Sequence, residues 1–69
     1  MSGAARRVVV TGAAGRLGGG VAHRLAREGR LLGGVDIAPG EHVTRLLDLA
    51  RCSTDELLDA FAGADAVVH

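Results

Sequence analysis

The feature that most limits how this chain can fold is the stretch VVVTGAAGRLGGG, Val8 to Gly20. The short, continuous β-branched run that starts at Arg7 and ends at Val10 fits a strand buried on both faces of a parallel sheet. It runs straight into Thr11 and Gly12, and further glycines fall at 15, 18, 19 and 20. From Gly15 onward Leu17, Val21 and Leu25 recur at helical spacing, while Arg16, His23, Arg24 and Arg27 lie off that stripe. Gly29 follows the last turn as a C-terminal cap. Gly19 and Gly20 inside the first turns each cost about 1 kcal/mol relative to alanine, a cost that suggests close approach there has a use.

The spacing Gly12-x-x-Gly15-x-x-Gly18 between a strand and a helix gives each glycine a physical task. Gly12 permits the tight turn, Gly15 lets the backbone approach a pyrophosphate, and Gly18 lets the helix pack closely on the sheet. Free N–H groups and the helix dipole favour an anion at that end, and Thr11 is expected to anchor the turn through its hydroxyl. The second expected element is an acid ending the next strand, about 20 residues on, to hold ribose hydroxyls. Asp36 lies 18 positions beyond Gly18 and ends an apolar run. Together these features point to dinucleotide binding; the competing reading is a glycine-rich turn with no ligand.

Downstream, LLGGVDI (Leu31–Ile37) reads as a second strand, APGEH (Ala38–His42) as a turn, and VTRLLDL (Val43–Leu49) as a third strand. Parallel strands normally need a crossover of about a dozen residues, so the short connection by itself favours a hairpin. Ser53 with Glu56 three residues on is a capping-box signature for a helix from about Thr54 to Ala62. Its stripe is Leu57, Leu58 and Phe61, and Gly63 closes it. ADAVVH then enters a fourth strand.

Composition removes several functions. The 69 residues carry no net charge, eight scattered arginines, no lysine, and Phe61 as the one aromatic residue. A nucleic-acid partner is not expected, because there is neither a basic stripe nor interleaved aromatics. A Walker-type phosphate loop fails for want of lysine. The single Cys52 forms no internal disulfide, which makes a reducing, cytoplasmic setting the expectation. MSGAARR has no signal-peptide core behind its arginines, and no segment approaches the roughly 20 apolar residues needed to span a bilayer. His23, His42, His69 and Cys52 show no paired short spacing and read as surface or loop residues, so no metal site is expected. Ser53 is explained by capping rather than as a nucleophile. Asp55, Glu56 and Asp59 suit a helix dipole, and Arg24, Arg27 and Arg30 read as a solvated face.

The segments VVVTGAAGRLGG, GVDIAPG, LLDLA and DAVVH together resemble the start of an extended short-chain dehydrogenase/reductase, the branch holding NAD-dependent epimerases and dehydratases. The likeness runs from Arg7 to His69. It implies a Rossmann-like α/β fold, the N-terminal portion of a parallel sheet with about four strands and two helices, and strands two and three parallel despite their short connection. It further implies that Gly12, Gly15, Arg16, Leu17 and Gly18 surround the pyrophosphate, that Asp36 and Ile37 border the adenosine ribose, and that Asp48 and Leu49 contact adenine. A carboxylate at Asp36 accepts hydrogen bonds from a free 2′-hydroxyl and repels a 2′-phosphate, so NAD is favoured over NADP.

The resemblance also marks what is missing. Chemistry in that family depends on a Tyr-x-x-x-Lys pair acting at a sugar-like or carbonyl substrate, and this chain has neither residue. It therefore reads as a cofactor-binding portion cut off before the catalytic segment and inactive alone. The alternative is a non-catalytic NAD(P)-sensing module or an inactive remnant. An open apolar edge at Ala66–His69 is expected to favour self-association.

Overall fold

The computed structural model describes residues 6–69. The first five residues of MSGAARR, part of the signal-peptide reading, lie outside the described residues. Along the chain run β1 (Val8–Thr11), α1 (Arg16–Arg27), β2 (Leu31–Asp36), β3 (Arg45–Leu46), α2 (Thr54–Ala60) and β4 (Ala66–Val68). The four strands form one all-parallel sheet in the order β3-β2-β1-β4, which makes this an α/β chain.

β1 is central because its side chains are apolar on both sides. Val8 and Val10 cluster with Ala13, Ala22 and Leu25, while Val9, one step out of phase and outside that cluster, is still only 1% exposed. A strand covered on both faces has no polar phase to show, hence the unbroken valines. β4 is set beside β1 by Asp65, whose Oδ2 accepts from the amides of Arg6 and Arg7 at 3.1 and 3.0 Å. The Arg7 carbonyl accepts in return from the amides of Asp65 and Ala66.

Helix α1 packs on a different face from the one hydropathy suggests. Leu17, expected in the buried stripe, is 83% exposed, and the buried positions are Ala22 and Leu25, with Val21 partly covered. The contact row is Gly18, Ala22 and Leu25, because the helix approaches the sheet where its side chains are smallest. A Cβ on Gly18 would stand 2.2 Å from the Gly12 carbonyl oxygen and 2.8 Å from its carbon. The helix ends as expected at Gly29, which has φ of 70°. Its amide donates to Ala26 O at 3.1 Å and that of Arg30 to Leu25 O at 2.9 Å, a Schellman closure.

The connection between β2 and β3 does not make a hairpin. Val35 pairs with Arg45 and Asp36 with Leu46, in parallel. The chain turns at Gly40, whose carbonyl accepts from Val43 N–H, and Thr44 N–H then donates to Gly34 O at 2.8 Å. Such a tight return demands a bare strand: a Cβ on Gly34 would lie 2.0 Å from His42 O and 2.8 Å from the Ala13 Cβ. The third strand spans only Arg45 and Leu46 rather than Val43 to Leu49. Beyond Leu47 the chain bends, with the Asp48 carbonyl accepting from the amides of Arg51 and Cys52 at 3.0 and 2.8 Å.

Helix α2 carries the expected capping box. Ser53 Oγ accepts from Glu56 N–H at 3.1 Å, and Glu56 Oε1 accepts from Ser53 N–H at 3.0 Å. The helix stops at Ala60 rather than Ala62, and Gly63 has φ of 81° in the turn that follows. Its expected stripe is only partly covered: Leu57 and Phe61 are half-buried and Leu58 is exposed, so α2 contributes no fully buried residue. Among the described residues no helix is long and apolar enough to cross a membrane.

Candidate functional site

β1 ends at Thr11 and β4 at Val68, side by side, while β2 lies on the other side of β1. The order of connection reverses here, and in open parallel sheets ligands bind in the crevice that such a reversal leaves outside the strand ends. A crevice of about 490 Å³ is present at that point. Gly12, Gly15, Arg16, Leu17 and Gly18 all line it, together with Thr11 and Val68. Arg16 is among the lining residues and no acid is.

The bend that shapes the crevice rests on two backbone features. Gly12 has φ of 67°, in the left-handed region that favours glycine, and its carbonyl accepts from Gly15 N–H at 3.0 Å. Gly15 then serves as N-cap of α1 in extended backbone, bringing no side chain to the turn, and no acid lies in the first helical turn. The opening amides of a helix lack intrahelical acceptors, so Arg16, Leu17 and Gly18 present N–H groups beside an arginine at the dipole's positive end.

Asp36 is tied into this bend. Its Oδ2 accepts from Ala14 N–H at 2.9 Å, and its Oδ1 from Ile37 N–H at 2.7 Å and Ala38 N–H at 3.3 Å. The Ala14 amide, followed by those of Ala38 and Ile37, holds the carboxyl below the usual aspartate range despite partial desolvation. It is therefore an anion at neutral pH, half-buried, one residue from Gly15 through its Ala14 partner. Carboxylate oxygens each carry two acceptor sites, so these three bonds leave one, on Oδ2, for a hydroxyl donor.

The other expected residues sit differently. Ile37 is exposed. Asp48 and Leu49 do not line the crevice, and neither do Asp36 and Ile37. Asp48 Oδ1 accepts from Ala50 N–H at 3.0 Å and its Oδ2 lies 3.9 Å from Arg51 Nε, while Leu49 O accepts from the Cys52 thiol at 3.7 Å. Both belong to the bend after β3.

Thr11 does not anchor the glycine turn. Its buried hydroxyl lies 2.7 Å from His69 Nδ1 and 3.3 Å from Val68 O. Both bonds form together when His69 Nδ1 carries the proton and donates to Oγ1, leaving the hydroxyl to donate to Val68. Thr11 thus laces the ends of β1 and β4 at the crevice floor. Sequence reasoning missed that, and also missed Ala14, whose amide no side-chain motif reports. No protein-family model, curated protein or solved structure matches the chain.

Proposed function

We propose that this chain binds a nicotinamide dinucleotide, NAD ahead of NADP, as the N-terminal Rossmann-type portion of an oxidoreductase resembling the NAD-dependent epimerases and dehydratases. The observation that carries the reading is the join between Asp36 and Ala14: an anionic strand-end acid fixed to the bend whose next residue caps α1. Hydroxyl-recognising acid and phosphate-recognising amides are thereby held at one distance.

The residues fit such a group. The bend is bare where a pyrophosphate needs backbone contact, since Gly12 and Gly15 carry no side chain and Arg16 adds a cation at the rim. The amides of Arg16, Leu17 and Gly18 would donate to the pyrophosphate, and the Asp36 carboxylate would accept from a ribose hydroxyl of the adenosine half. Asp36 would also disfavour a 2′-phosphate, with Ile37 and Ala38 offering no cation beside it. When bound, NAD supplies a nicotinamide ring that takes and returns a hydride. These 69 residues supply no tyrosine or lysine to move the accompanying proton, so we propose catalysis on a sugar-like or carbonyl substrate only in company with further chain. The same absence favours, as a second reading, a module that senses NAD(P) without catalysis.

Calorimetric titration of the chain with NAD and with NADP tests the proposal, beside the variant Gly15→Val. Gly15 has extended backbone that any residue adopts, but an added Cβ would stand 3.3 Å from Gly12 O, so the turn must give by a few tenths of an ångström as the cradle is filled, and circular dichroism checks that the variant is folded. Saturable heat with NAD, weaker heat with NADP, and loss of both in Gly15→Val are expected. No heat with either nucleotide, or binding indifferent to the substitution, overturns it.

A further inference from the structure

His23 on α1 and His42 in the connection after β2 are 19 residues apart in sequence, yet His23 Nδ1 lies 3.2 Å from His42 Nε2. The rings are inclined at 51° with centroids 5.4 Å apart, so they meet edge-on through their nitrogens rather than by stacking. Glu41 brings a carboxylate to the same place, its Oε1 4.0 Å from His42 Nε2. One ligand atom from each of the three residues falls within 4.8 Å of the others. We propose that His23, His42 and Glu41 form a three-ligand site for a divalent transition-metal ion of the zinc class.

The spacing is the main argument. Zinc–imidazole bonds of about 2.0–2.1 Å at tetrahedral angles put two ligand nitrogens roughly 3.3–3.4 Å apart. The observed 3.2 Å is close to that edge, so the two donor nitrogens already stand at nearly the separation an ion requires. Glu41 has further to move, standing 4.0 Å from His42 Nε2 in a set that spans up to 4.8 Å, and its side chain, 81% exposed, is free to close on the ion. Two imidazoles and a carboxylate form a borderline donor set, which suits zinc better than calcium or magnesium.

The site is also held in place before any ion arrives. The His42 carbonyl is packed over Gly34, and Thr44 N–H is bonded to the Gly34 carbonyl, so the connection has little freedom to swing away. The His42 side chain is only 17% exposed. A neighbouring crevice of about 230 Å³, lined by Gly15, Gly19, His23, Gly40, Glu41 and His42 among others, leaves room for water as the fourth ligand. Arg16 is the other charged residue lining it.

In the metal-free pair one imidazole N–H donates to the other ring's bare nitrogen. Binding requires both lone pairs, so the donating ring passes that proton to its other nitrogen or to solvent before the ion is held. The bound ion ties α1 to the β2–β3 connection. This holds whether or not the chain binds a dinucleotide.

The test is titration of the chelator-treated 69-residue protein with zinc chloride by calorimetry, paired with nitrogen-15 NMR of the imidazoles. One-to-one binding is expected, with zinc-induced shifts at His23 Nδ1 and His42 Nε2 and a rise in melting temperature. Removal of a partner outside the ligand set already weakens metal sites roughly 10–100-fold, so His23→Ala and His42→Ala should each lose at least tenfold. Glu41→Gln should lose less, and Cys52→Ser nothing. If a variant fails to fold, the imidazole shifts in the unaltered chain decide the matter. Absence of saturable heat up to millimolar zinc, shifts confined to His69, or undiminished binding in folded His23→Ala or His42→Ala overturns the proposal.

Discussion

The carboxylate of Asp36 accepts a hydrogen bond from the amide of Ala14, 22 residues earlier, at 2.9 Å. The bond makes the end of β2 and the bend after β1 one unit, and it fixes a negative charge beside the proposed ribose position. Replacing Asp36 with Asn keeps an acceptor for Ala14, gives up the bonds from Ile37 and Ala38, and removes the charge. In Asp36→Asn the preference for NAD over NADP, measured as a ratio of calorimetric dissociation constants, is expected to fall by about tenfold or more, which corresponds to about 1.4 kcal/mol. A ratio unchanged from that of the parent chain would show that the charge does not set cofactor choice.

Gly18 and Gly20 lie two residues apart in α1 and should respond in opposite directions to the same change. Alanine at Gly18 forces a Cβ to within 2.2 Å of the Gly12 carbonyl oxygen, backbone that cannot step aside cheaply. Overpacking of this kind costs about 1–3 kcal/mol, and the opened bend should also weaken NAD binding. At Gly20 an added Cβ meets nothing within 4 Å. Helix propensity then acts alone, and Gly20→Ala should stabilise the chain by about 1 kcal/mol. Urea unfolding followed by circular dichroism reads both; equal shifts in the two variants would contradict the packing of α1.

That pair also shows why some of the fold was legible and some was not. The valines of β1, the Ser53–Glu56 box and the Gly29 closure depend on neighbours along the chain, so their residue types announce them. The packing face of α1 does not, because its closest contacts are made by Gly18 and Ala22, which hydropathy scarcely weighs, while Leu17 is left in solvent. Asp36 could be picked out as a strand-end acid, but its Ala14 partner is a backbone amide. The meeting of His23 with His42 depends on the return of the chain over Gly34, which no spacing along the sequence reveals.

Gly34 should therefore be as sensitive as Gly18. A methyl group there collides with His42 O at 2.0 Å and with the Ala13 Cβ at 2.8 Å, so two segments already close over that face of the strand. Gly34→Ala is expected to cost about 1–3 kcal/mol. Thr44→Val should cost less, removing the hydroxyl that lies 3.2 Å from both Gly34 N and Gly34 O while leaving the Thr44 amide bond intact. Thermal melts of the two variants give the order, and a Gly34→Ala chain as stable as the parent would exclude the close return.

Acid should unfold the chain through four carboxylates. Asp36 and Asp65 are held below an ordinary value of 3.8, chiefly by the amides of Ala14 and Arg7, and Glu28 and Glu56 below 4.5, chiefly by bonds to Arg24 and Ser53. Between folded and ordinary values the unfolded chain binds more protons, so stability rises with pH in that interval. Their contribution is complete above about pH 5 and is lost as pH falls below 4.5 and then 3.8 toward the folded values. Urea midpoints collected from pH 7 to 2 should stay level and then drop, and Asp65→Asn should soften the drop. Midpoints that climb on acidification would reverse the sign of the argument.

The last prediction concerns the outer side of β4. Among the described residues β4 pairs with β1 alone, so one edge of Ala66–Val68 is open, and Val67 and Val68 are 42% and 39% exposed on it. The opposite edge is β3, only two residues long, one of them Arg45, whose guanidinium is paired with Asp59. Short, charged edges resist pairing with other chains, whereas apolar ones invite it. Concentration-dependent self-association by sedimentation is therefore expected, and Val67→Lys should weaken it by about tenfold or more by placing a charge on the pairing edge. Association that is equally strong in Val67→Lys would move the contact elsewhere on the surface, and a parent chain that stays monomeric at high concentration would show that this edge is already protected.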